Sequence, residues 1–369
     1  MTAKRRAKNP ITDEEFVVQS VINETVDSAR LATLRTLDAI SNPVTQSEII
    51  RNADITRQAA SNHLAVLQNH GFIRSQKARI KLTAGGIALL DVLESCLQIL
   101  SIKELAFLTR SDHPVAILRE FKGEPYRIAE LHAAMGGTPS QSTIRRILGD
   151  LQNYGWIEES NREKQITALG RQVLEAYNEL SLSVQQLIEK APWLQRLPLE
   201  DATFPIQELS DAKLVVSDPA RPASVLSAAL TLYDWDTSQF RGLCSIYNPV
   251  LFHTYRAAYR LFDYSIDSEM IFDWPTFAKI TKATETRYIL DSLDFSDYEV
   301  YALDYPHTLG IGIYDNRRVA VGAYNESGDG NHIAMIVSSN DKLVEWGIDL
   351  YESYRADATP ATETDIGRL

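Results

Sequence analysis

Cysteine is scarce in this sequence: Cys96 and Cys244 are the only two among 369 residues. Two cysteines exclude a disulfide framework and a cysteine-based zinc site, and they fit a reducing cytoplasm. No run of about 18 uncharged apolar residues occurs, so we expect no membrane-spanning helix. The basic residues 4–6 lead into the acidic residues 13–15 rather than into an apolar segment, unlike a signal peptide. We therefore expect a cytoplasmic protein.

Positive charge is also in short supply, with 37 Lys+Arg against 49 Asp+Glu and a net charge of −12. An acidic total argues against a nucleic-acid binder only if the charge is evenly spread. It is not: residues 1–83 hold 12 basic and 8 acidic residues (net +4), residues 84–193 hold 11 and 14 (net −3), and residues 194–369 hold 14 and 27 (net −13). A DNA-binding segment is therefore expected at the N-terminus, and an acidic body at the C-terminus.

The sequence repeats itself at one constant offset. Residues 67–73, LQNHGFI, match residues 151–157, LQNYGWI, and the Thr-Ala pair after Leu82 recurs at the same offset after Ile166. In each segment a helix ends before a glycine, the expected left-handed C-cap residue, and a polar hairpin follows. A repeat with one spacing from helix through hairpin indicates two copies of one small fold.

The first copy has the element order of a winged helix-turn-helix domain. Leucines at helical spacing over residues 31–37 predict one helix, Thr45 can cap a second, and Thr56 can begin a third that extends to His70. Alternation over residues 72–83 predicts two strands and a connecting turn. In this order the third helix enters the DNA major groove.

Three segments carry a resemblance: residues 47–50 (SEII), 55–64 (ITRQAASNHL) and 67–73 (LQNHGFI) resemble archaeal and bacterial winged-helix transcription regulators. The resemblance implies that the third helix contacts base edges and the hairpin contacts phosphates. The residue types agree, because Arg can bind guanine, Gln can bind adenine, and basic hairpin residues suit phosphates. The candidate DNA-binding residues are Thr56, Arg57, Gln58, Ser61, Asn62, Arg74, Lys77, Arg79 and Lys81. His63, beside Leu64, is expected to be partly packed rather than to contact bases.

A second group of cations lies at the N-terminus. The four residues Lys4, Arg5, Arg6 and Lys8 could form a flexible arm on the DNA backbone or in the minor groove.

The second copy departs from the first in charge. Its equivalent helix, residues 140–154, carries Gln141, Ser142, Arg145 and Arg146, but its hairpin contains three glutamates between residues 158 and 163, which would repel phosphate. We expect a role in packing or dimerisation, with an auxiliary DNA contact left open. Apolar-faced helices are predicted over residues 84–108 and 168–190. A stripe in the first of them can form either a subunit interface or a core: Leu89, Val92, Leu93, Leu97 and Leu100.

The C-terminal segment alternates strands and helices and then becomes a strand meander, which predicts a mixed α/β sheet. Residues 245–249 (SIYNP) and the segment 338–355 resemble the effector domain of archaeal regulators of the methanogenesis-regulator type. That domain is similar to the phospholipase-D-like effector domain of TrmB-type sugar regulators. The resemblance spans about residues 195–356 and implies ligand sensing or oligomerisation. The family pattern usually has one winged helix, so the second copy is a departure from it.

Catalysis is not expected. A phospholipase-type site requires His-x-Lys, and none of the seven histidines has a lysine at that spacing. No metal-ligand spacing, nucleophile elbow or phosphate-binding glycine loop occurs, so no cofactor or metal is expected. A small ligand would bind at the carboxyl ends of the strands, where a helix N-terminus favours an anion or a sugar hydroxyl. The candidates there are Tyr247, Asn248 and His253.

The sequence as a whole predicts an α+β multidomain chain: two tandem winged helix-turn-helix domains (residues 1–107 and 108–193), a mixed-sheet α/β effector domain (194–356) and a disordered tail (357–369). The predicted function is a sequence-specific transcription regulator that binds double-stranded DNA as a homodimer and can respond to a small-molecule effector. Two alternatives remain: a protein-interaction scaffold built on the winged helices, and, more distantly, a phosphodiesterase-like enzyme. An acidic, lysine-poor composition (12 Lys, 25 Arg) fits a salt-rich, haloarchaeal cytoplasm.

Overall fold

The computed structural model describes residues 5–40, 43–217, 224–234, 236–246, 266–282, 298–324 and 332–361. The chain divides into two compact units, which we call unit 1 (residues 1–191) and unit 2 (residues 192–369). Unit 1 is mainly helical with three small sheets in its described part, whereas unit 2 is built on one eight-stranded mixed sheet. The protein is therefore of the mixed α+β class.

Unit 1 begins with a short hairpin and the first copy of the repeat. The elements are β1 (Arg6–Lys8), β2 (Glu15–Val17), α1 (Val18–Thr25), α2 (Ser28–Ala39), β3 (Val44–Thr45), α3 (Gln46–Ala53), α4 (Arg57–Asn69), β4 (Ile73–Gln76), β5 (Arg79–Leu82) and α5 (Ala84–Leu97). Thr45 and Thr56 are the N-caps of α3 and α4, as predicted. Apolar residues at helical spacing are fully buried and form one core with the hairpin: Leu31, Leu34, Leu37, Ile49, Ala60, Leu67, Phe72 and Ile73.

The second copy repeats this order. Its elements are α6 (Ile102–Thr109), α7 (Asp112–Glu120), α8 (Ile128–Ala134), α9 (Gln141–Asn153), β6 (Ile157–Ser160), β7 (Glu163–Ile166) and α10 (Ala168–Glu189). A single bridge between Tyr126 and Lys164 replaces the pairing of β3 with β5. At the offset of the repeat, the start of α6 is equivalent to the start of α1, so we define the first copy as residues 18–101 and the second as residues 102–185.

The single helix predicted over residues 84–108 is wrong, because α5 and α6 are separate helices that meet at 104°. The cause is a capping box: the Ser101 hydroxyl accepts the backbone N–H of Glu104 (3.3 Å), and Glu104 Oε2 accepts the N–H of Ser101 (2.7 Å). Among the described residues, no helix alone is long and apolar enough to span a membrane; α5 and α6 meet that length and composition only as a bent pair.

The apolar stripe on α5 is a core feature rather than a subunit interface. Leu89 and Leu93 on α5 and Leu100 just after it are buried, Val92 and Leu97 are half-buried, and α5 packs along α10 of the same chain. The packing of α5 against the equivalent helix of the second copy supports the core interpretation of the stripe.

Unit 2 begins within α11 (Ala191–Leu194), and a 3-10 helix (Ile206–Asp211) follows. Its remaining elements are β8 (Lys213–Val216), α12 (Ser224–Leu230), β9 (Gln239–Cys244), β10 (Asp267–Asp273), α13 (Trp274–Lys282), β11 (Tyr298–Leu303), β12 (Leu309–Tyr314), β13 (Arg318–Tyr324), β14 (His332–Ser338), α14 (Asp341–Asp357) and β15 (Thr359–Pro360). The sheet order is β15-β11-β10-β9-β12-β13-β14-β8, with β9, β10 and β11 parallel to one another and every other pairing antiparallel. The predicted mixed sheet is present.

The start of the predicted disordered tail is ordered. Asp357 ends α14, and β15 pairs with β11 through Thr359 and Pro360. The backbone N–H of Ala361 then donates to the carbonyl of Val300 (2.9 Å). Backbone pairing at the free edge of the sheet orders this segment despite its polar composition. Residues 362–369 lie outside the described residues.

Candidate nucleic-acid interface

The start of α4 presents a polar surface. The Thr56 hydroxyl accepts the backbone N–H of Ala59 (3.2 Å), which fixes the first turn of the helix. Thr56, Arg57, Gln58, Ser61 and Asn62 are all exposed. The Gln58 amide donates from Nε2 to Asn62 Oδ1 (3.2 Å), one turn further along. The five residues predicted for base contact therefore lie together on the exposed side of α4.

The hairpin of β4 and β5 holds the four predicted phosphate contacts. Lys77 and Arg79 are exposed, whereas Arg74 and Lys81 are half-buried and pair directly across the two strands. Lys77 and Ala78 form the turn with positive φ angles of 48° and 61°, as a two-residue hairpin turn requires. Arg79 also donates from a guanidinium nitrogen to the carbonyl of Pro43 (3.1 Å). No acidic residue occurs between Phe72 and Thr83.

A small set of bonds joins α4 rigidly to this hairpin. Gly71 has a φ of 84°, so the chain turns sharply after α4, and the Phe72 N–H donates to the carbonyl of Leu67 (3.0 Å). The Thr83 hydroxyl donates to the carbonyl of Gly71 (2.8 Å) and accepts the N–H of Gly86 (3.1 Å). A side chain at Gly86 would collide with the carbonyl oxygen of Phe72. The orientation of the hairpin relative to α4 is thus fixed by backbone contacts and by the Thr83 hydroxyl.

A buried histidine, which sequence reasoning did not single out, fixes the other end of α4. His70 is 3% exposed, and its Nε2 lies 3.1 Å from Glu24 Oε2 at the end of α1. The hydrogen bond from His70, more than its charge, lowers the pKa of Glu24. The Phe16 ring packs edge-on against the imidazole. His63, by contrast, is half-buried as predicted, and burial lowers its pKa, with Arg30 adding to the effect.

The predicted flexible basic arm is wrong for the residues that the structure describes. Arg6 and Lys8 lie in β1 and form ion pairs with Glu15 and Asp13 of the same hairpin. Arg5 donates to the Gln185 side-chain oxygen on α10 (2.6 Å). Neighbouring acids therefore neutralise part of this charge, and the hairpin folds onto unit 1. Lys4 lies outside the described residues.

The second hairpin has the same backbone as the first but the opposite charge. Its turn residues, Asn161 and Arg162, again have positive φ angles, 53° and 67°. At the offset of the repeat, Glu158 replaces Arg74 and Glu163 replaces Arg79. The second hairpin also pairs its own charges, with Lys164 Nζ 2.8 Å from Glu159 Oε2. In this copy the hairpin carboxylates take the place of the cations.

Cations on α9 are partly paired as well. Arg145 and Arg146 are exposed, but Arg146 lies 3.8 Å from an Asp150 carboxylate oxygen, and Arg110 lies 3.0 Å from the same oxygen. Ser140 caps α9 as Thr56 caps α4. The second copy thus retains the framework of the first, with a surface of mixed charge.

In unit 2 the predicted ligand residues Tyr247, Asn248 and His253 lie outside the described residues, so they stay a prediction. The described neighbours at the carboxyl ends of β9 and β10 bond to one another. Asp273 accepts the N–H of Thr276 (2.7 Å), and the Thr276 hydroxyl donates to the carbonyl of Ser245 (3.0 Å). Nearby, burial lowers the pKa of His307 to about 4, so its imidazole is neutral at pH 7.

An open cavity of about 390 Å³ lies at the opposite, amino ends of the parallel strands. Its lining residues are Gln239, Phe240, Arg241, Asp267, Glu269, Glu299, Glu352 and Arg355. Sequence reasoning missed this cavity because its walls come from four separate segments. Most of its charges already pair: Arg355 donates to Glu269 (3.0 Å), and Arg241 pairs with Glu352. Within the described ranges, no group of three or more His, Cys, Asp or Glu residues is placed to hold a metal ion.

Two family models match the chain. Residues 102–186 match the family described as HVO_A0261 N-terminal domain, and residues 222–357 match the family described as methanogenesis regulatory protein FilR1, middle domain. The first match covers α6 through most of α10, so it falls on the second copy. No curated protein matches the chain.

Several solved structures are similar at low identity. The archaeal chromatin protein TrmBL2 is 12% identical, with 90% of this chain and 94% of that chain covered and a TM-score of 0.32. NucT from Helicobacter pylori is 11% identical over 41% of this chain and 98% of its own, and the phospholipase D family member Nuc from Salmonella typhimurium is 14% identical over 41% and 99%; both have TM-scores of 0.32. The predicted resemblance to archaeal regulators of the methanogenesis-regulator type is confirmed by the family match over residues 222–357.

Proposed function

We propose that this chain is a DNA-binding transcription regulator whose first copy is a winged helix-turn-helix domain that contacts duplex DNA. The observation that carries the proposal is the charge difference between the two hairpins. They share strand register and turn conformation, yet Arg74 and Arg79 in the first correspond to Glu158 and Glu163 in the second. A basic hairpin beside an exposed polar helix suits phosphates and base edges.

In this function, α4 enters the major groove by its N-terminal turns. Arg57 donates to O6 and N7 of a guanine, and Gln58 bonds N6 and N7 of an adenine. The bond between Gln58 and Asn62 supports this role, because it orients the amide before DNA arrives. Thr56 and Ser61 supply shorter hydroxyl contacts beside them.

The hairpin positions the domain rather than selecting the sequence. Lys77 and Arg79 are exposed at its tip, and Arg74 and Lys81 carry further positive charge along the strands. Each phosphate that such a residue neutralises releases counterions, so binding weakens steeply with salt. In a salt-rich cytoplasm, base contacts through α4 would then carry a larger share of the affinity.

We propose that the second copy is also a winged helix-turn-helix domain, kept for packing. Its regular order of elements supports the fold, and its acidic hairpin argues against a phosphate contact.

Unit 2 is proposed to sense a small effector or to join two chains into a homodimer. The family match over residues 222–357 supports a regulatory role. Enzymatic activity is not proposed, because the sequence lacks His-x-Lys; the scaffold alternative has no feature of its own in its favour.

The experiment is binding of the full chain to genomic DNA fragments, followed by footprinting of the bound sites. R57A/K77A/R79A should abolish or strongly weaken discrete footprints that the wild type gives at low salt. R145A/R146A/R162A removes three exposed arginines from the second copy and is the matched control, expected to retain the footprints. Unchanged footprints in the first variant, or losses confined to the second, would refute the assignment of DNA contact to the first copy.

A further inference from the structure

Within unit 1, equivalent helices of the two copies contact each other. α1 packs against α6, and α5 packs against α10, and the two helices of each pair start at equivalent positions of the repeat. Polar contacts cross the first contact: Gln19 donates from Nε2 to the carbonyl of Leu108 (2.9 Å), and the Thr109 hydroxyl oxygen lies 3.1 Å from Asn23 Oδ1. An interface in which each partner uses the same surface is isologous, the type generated by a twofold axis.

Several hydrogen bonds and close contacts within the first copy recur at equivalent positions of the second. Thr25 and Thr109 each donate a hydroxyl hydrogen bond to the carbonyl four residues earlier, at 2.7 and 3.0 Å. Thr167 bonds the carbonyl of Gly155 (2.7 Å) as Thr83 bonds that of Gly71. A side chain at Gly170 would collide with the carbonyl oxygen of Trp156, which matches the situation at Gly86. The second hairpin is therefore held relative to α9 as the first is held relative to α4.

We infer that unit 1 is an internal pseudo-dimer of winged helices, in which the acidic hairpin of the second copy restricts DNA contact to one half-site for each chain. This inference rests on the proposed function. Helix α9 and its hairpin have the shape of a second DNA-binding half, but Glu158 and Glu163 stand where phosphate-binding arginines stand in the first. The glutamate carboxylates repel the phosphates of the DNA backbone, so the second copy does not bind DNA.

The consequence is an asymmetric binding site. A symmetric pair of winged helices would protect two half-sites about 10 base pairs apart, whereas one chain of this protein protects a single half-site. Two half-sites then require two chains, joined outside this internal contact, because α1, α5, α6 and α10 already cover one another. The glutamates thus set the length of the site that one chain occupies.

The test restores the first hairpin's charges in the second. In the full chain, E158R/E163R places arginines at the positions equivalent to Arg74 and Arg79. E175R/E179R changes two exposed glutamates on α10 and alters net charge equally, so it is the matched control. The first readout is the number of base pairs protected per bound chain, from hydroxyl-radical footprinting at a measured stoichiometry. The second is the slope of the logarithm of the DNA-binding constant K against the logarithm of the salt concentration.

The E158R/E163R variant should lengthen the footprint by about 10 base pairs per chain and steepen the salt slope by about 2. The control should leave footprint length unchanged. Equal footprints and slopes in both variants, or a wild-type footprint that already covers two half-sites per chain, would overturn the inference. If circular dichroism shows that E158R/E163R does not fold, E158Q/E163Q replaces it. A steeper slope of log K against log salt than in the wild type then supports the inference, and an unchanged slope overturns it. A wild type that binds no duplex at low salt rejects the proposed function itself, and the inference with it.

Discussion

His70 Nε2 lies 3.1 Å from Glu24 Oε2, and this one hydrogen bond ties the end of the proposed recognition helix α4 to α1. The histidine is buried and its Nδ1 has no hydrogen-bond partner, so Glu24 supplies the polar contact of the ring. In the second copy, Leu108 and Tyr154 occupy the two equivalent positions. The bond is thus specific to the copy that we assign to DNA.

The first prediction concerns this bond. Replacing Glu24 by Ala leaves a buried imidazole N–H unpaired and should lower the free energy of unfolding by about 1–2 kcal/mol at pH 7. The pKa of Glu24 is lowered from 4.5 in the folded state, so its contribution is complete above 4.5 and is lost as pH falls through the folded value. Denaturant unfolding at pH 7 and below pH 4.5 should show the difference between wild type and E24A shrinking with acidity. E15A removes an exposed ion pair and should change stability by less than about 1 kcal/mol; an equal loss in both variants would contradict the assigned role.

The second prediction separates base contact from phosphate contact. R57A should cost about 1–3 kcal/mol of binding on a footprinted site and little on unrelated duplex. K77A should weaken binding to both duplexes alike and reduce the salt slope by about 1. Fluorescence anisotropy titrations over a salt series measure both quantities. R162A, at the tip of the acidic hairpin, should leave them unchanged, and a sequence-dependent effect of K77A would argue against a phosphate contact.

The third prediction tests the close approach of the hairpin to α5. G86A forces a methyl group against the carbonyl oxygen of Phe72 and should destabilise the chain by about 1–3 kcal/mol. G170A should behave similarly against Trp156. G149A is the control, since its site within α9 is open, and Ala should stabilise a helix interior by about 0.5–1 kcal/mol. Thermal or denaturant unfolding gives the sign of the change in unfolding free energy for each variant. A G86A variant as stable as the wild type would show that the hairpin can move away from α5.

The fourth prediction concerns a buried acid in unit 2. The Tyr354 hydroxyl donates to Asp201 Oδ2 (2.9 Å), and burial raises the pKa of Asp201 above 3.8. A raised acid pKa means that stability falls as pH rises from 3.8 through the folded value, because the buried carboxyl must ionise. D201N should therefore flatten the dependence of unfolding free energy on pH in that range.

Y354F is the companion variant for Asp201. It leaves the carboxylate without its hydroxyl donor and should cost about 1–3 kcal/mol at pH 7, more than D201N. Unfolding of both variants at pH 4 and pH 7 distinguishes the two effects. A larger loss in D201N than in Y354F would mean that the charge itself, rather than the hydrogen bond, stabilises unit 2.

Local signals in the sequence were sufficient for the elements of the proposed DNA-binding surface. Thr45, Thr56 and Gly71 mark helix ends by their own chemistry, so α3, α4 and the following hairpin were predicted closely. Long-range pairing was not visible. Arg6 and Lys8 look like a free arm until Glu15 and Asp13 fold back beside them.

Two further features also depend on long-range contacts. The stripe on α5 could not be assigned, since α10, the helix that covers it, belongs to the other copy of the repeat. Strand β15 likewise depends on the edge of β11, which lies far from it in the sequence. The Ser101–Glu104 capping box was a local signal, but continuous apolar periodicity across it favoured one long helix. The cavity of unit 2 is lined by residues from distant segments, so no local sequence motif predicts it.

The short connection between α5 and α6 has a consequence in terms of mass action. Only residues 98–101 separate the two helices, so the two copies of the repeat are joined in one chain by a four-residue connection. Two separate winged helices would have to meet, and their pairing would weaken as the protein became dilute. Here the pairing of α5 with α10 is intramolecular, and dilution cannot reverse it. The stability that this pairing gives to unit 1 should therefore be independent of protein concentration.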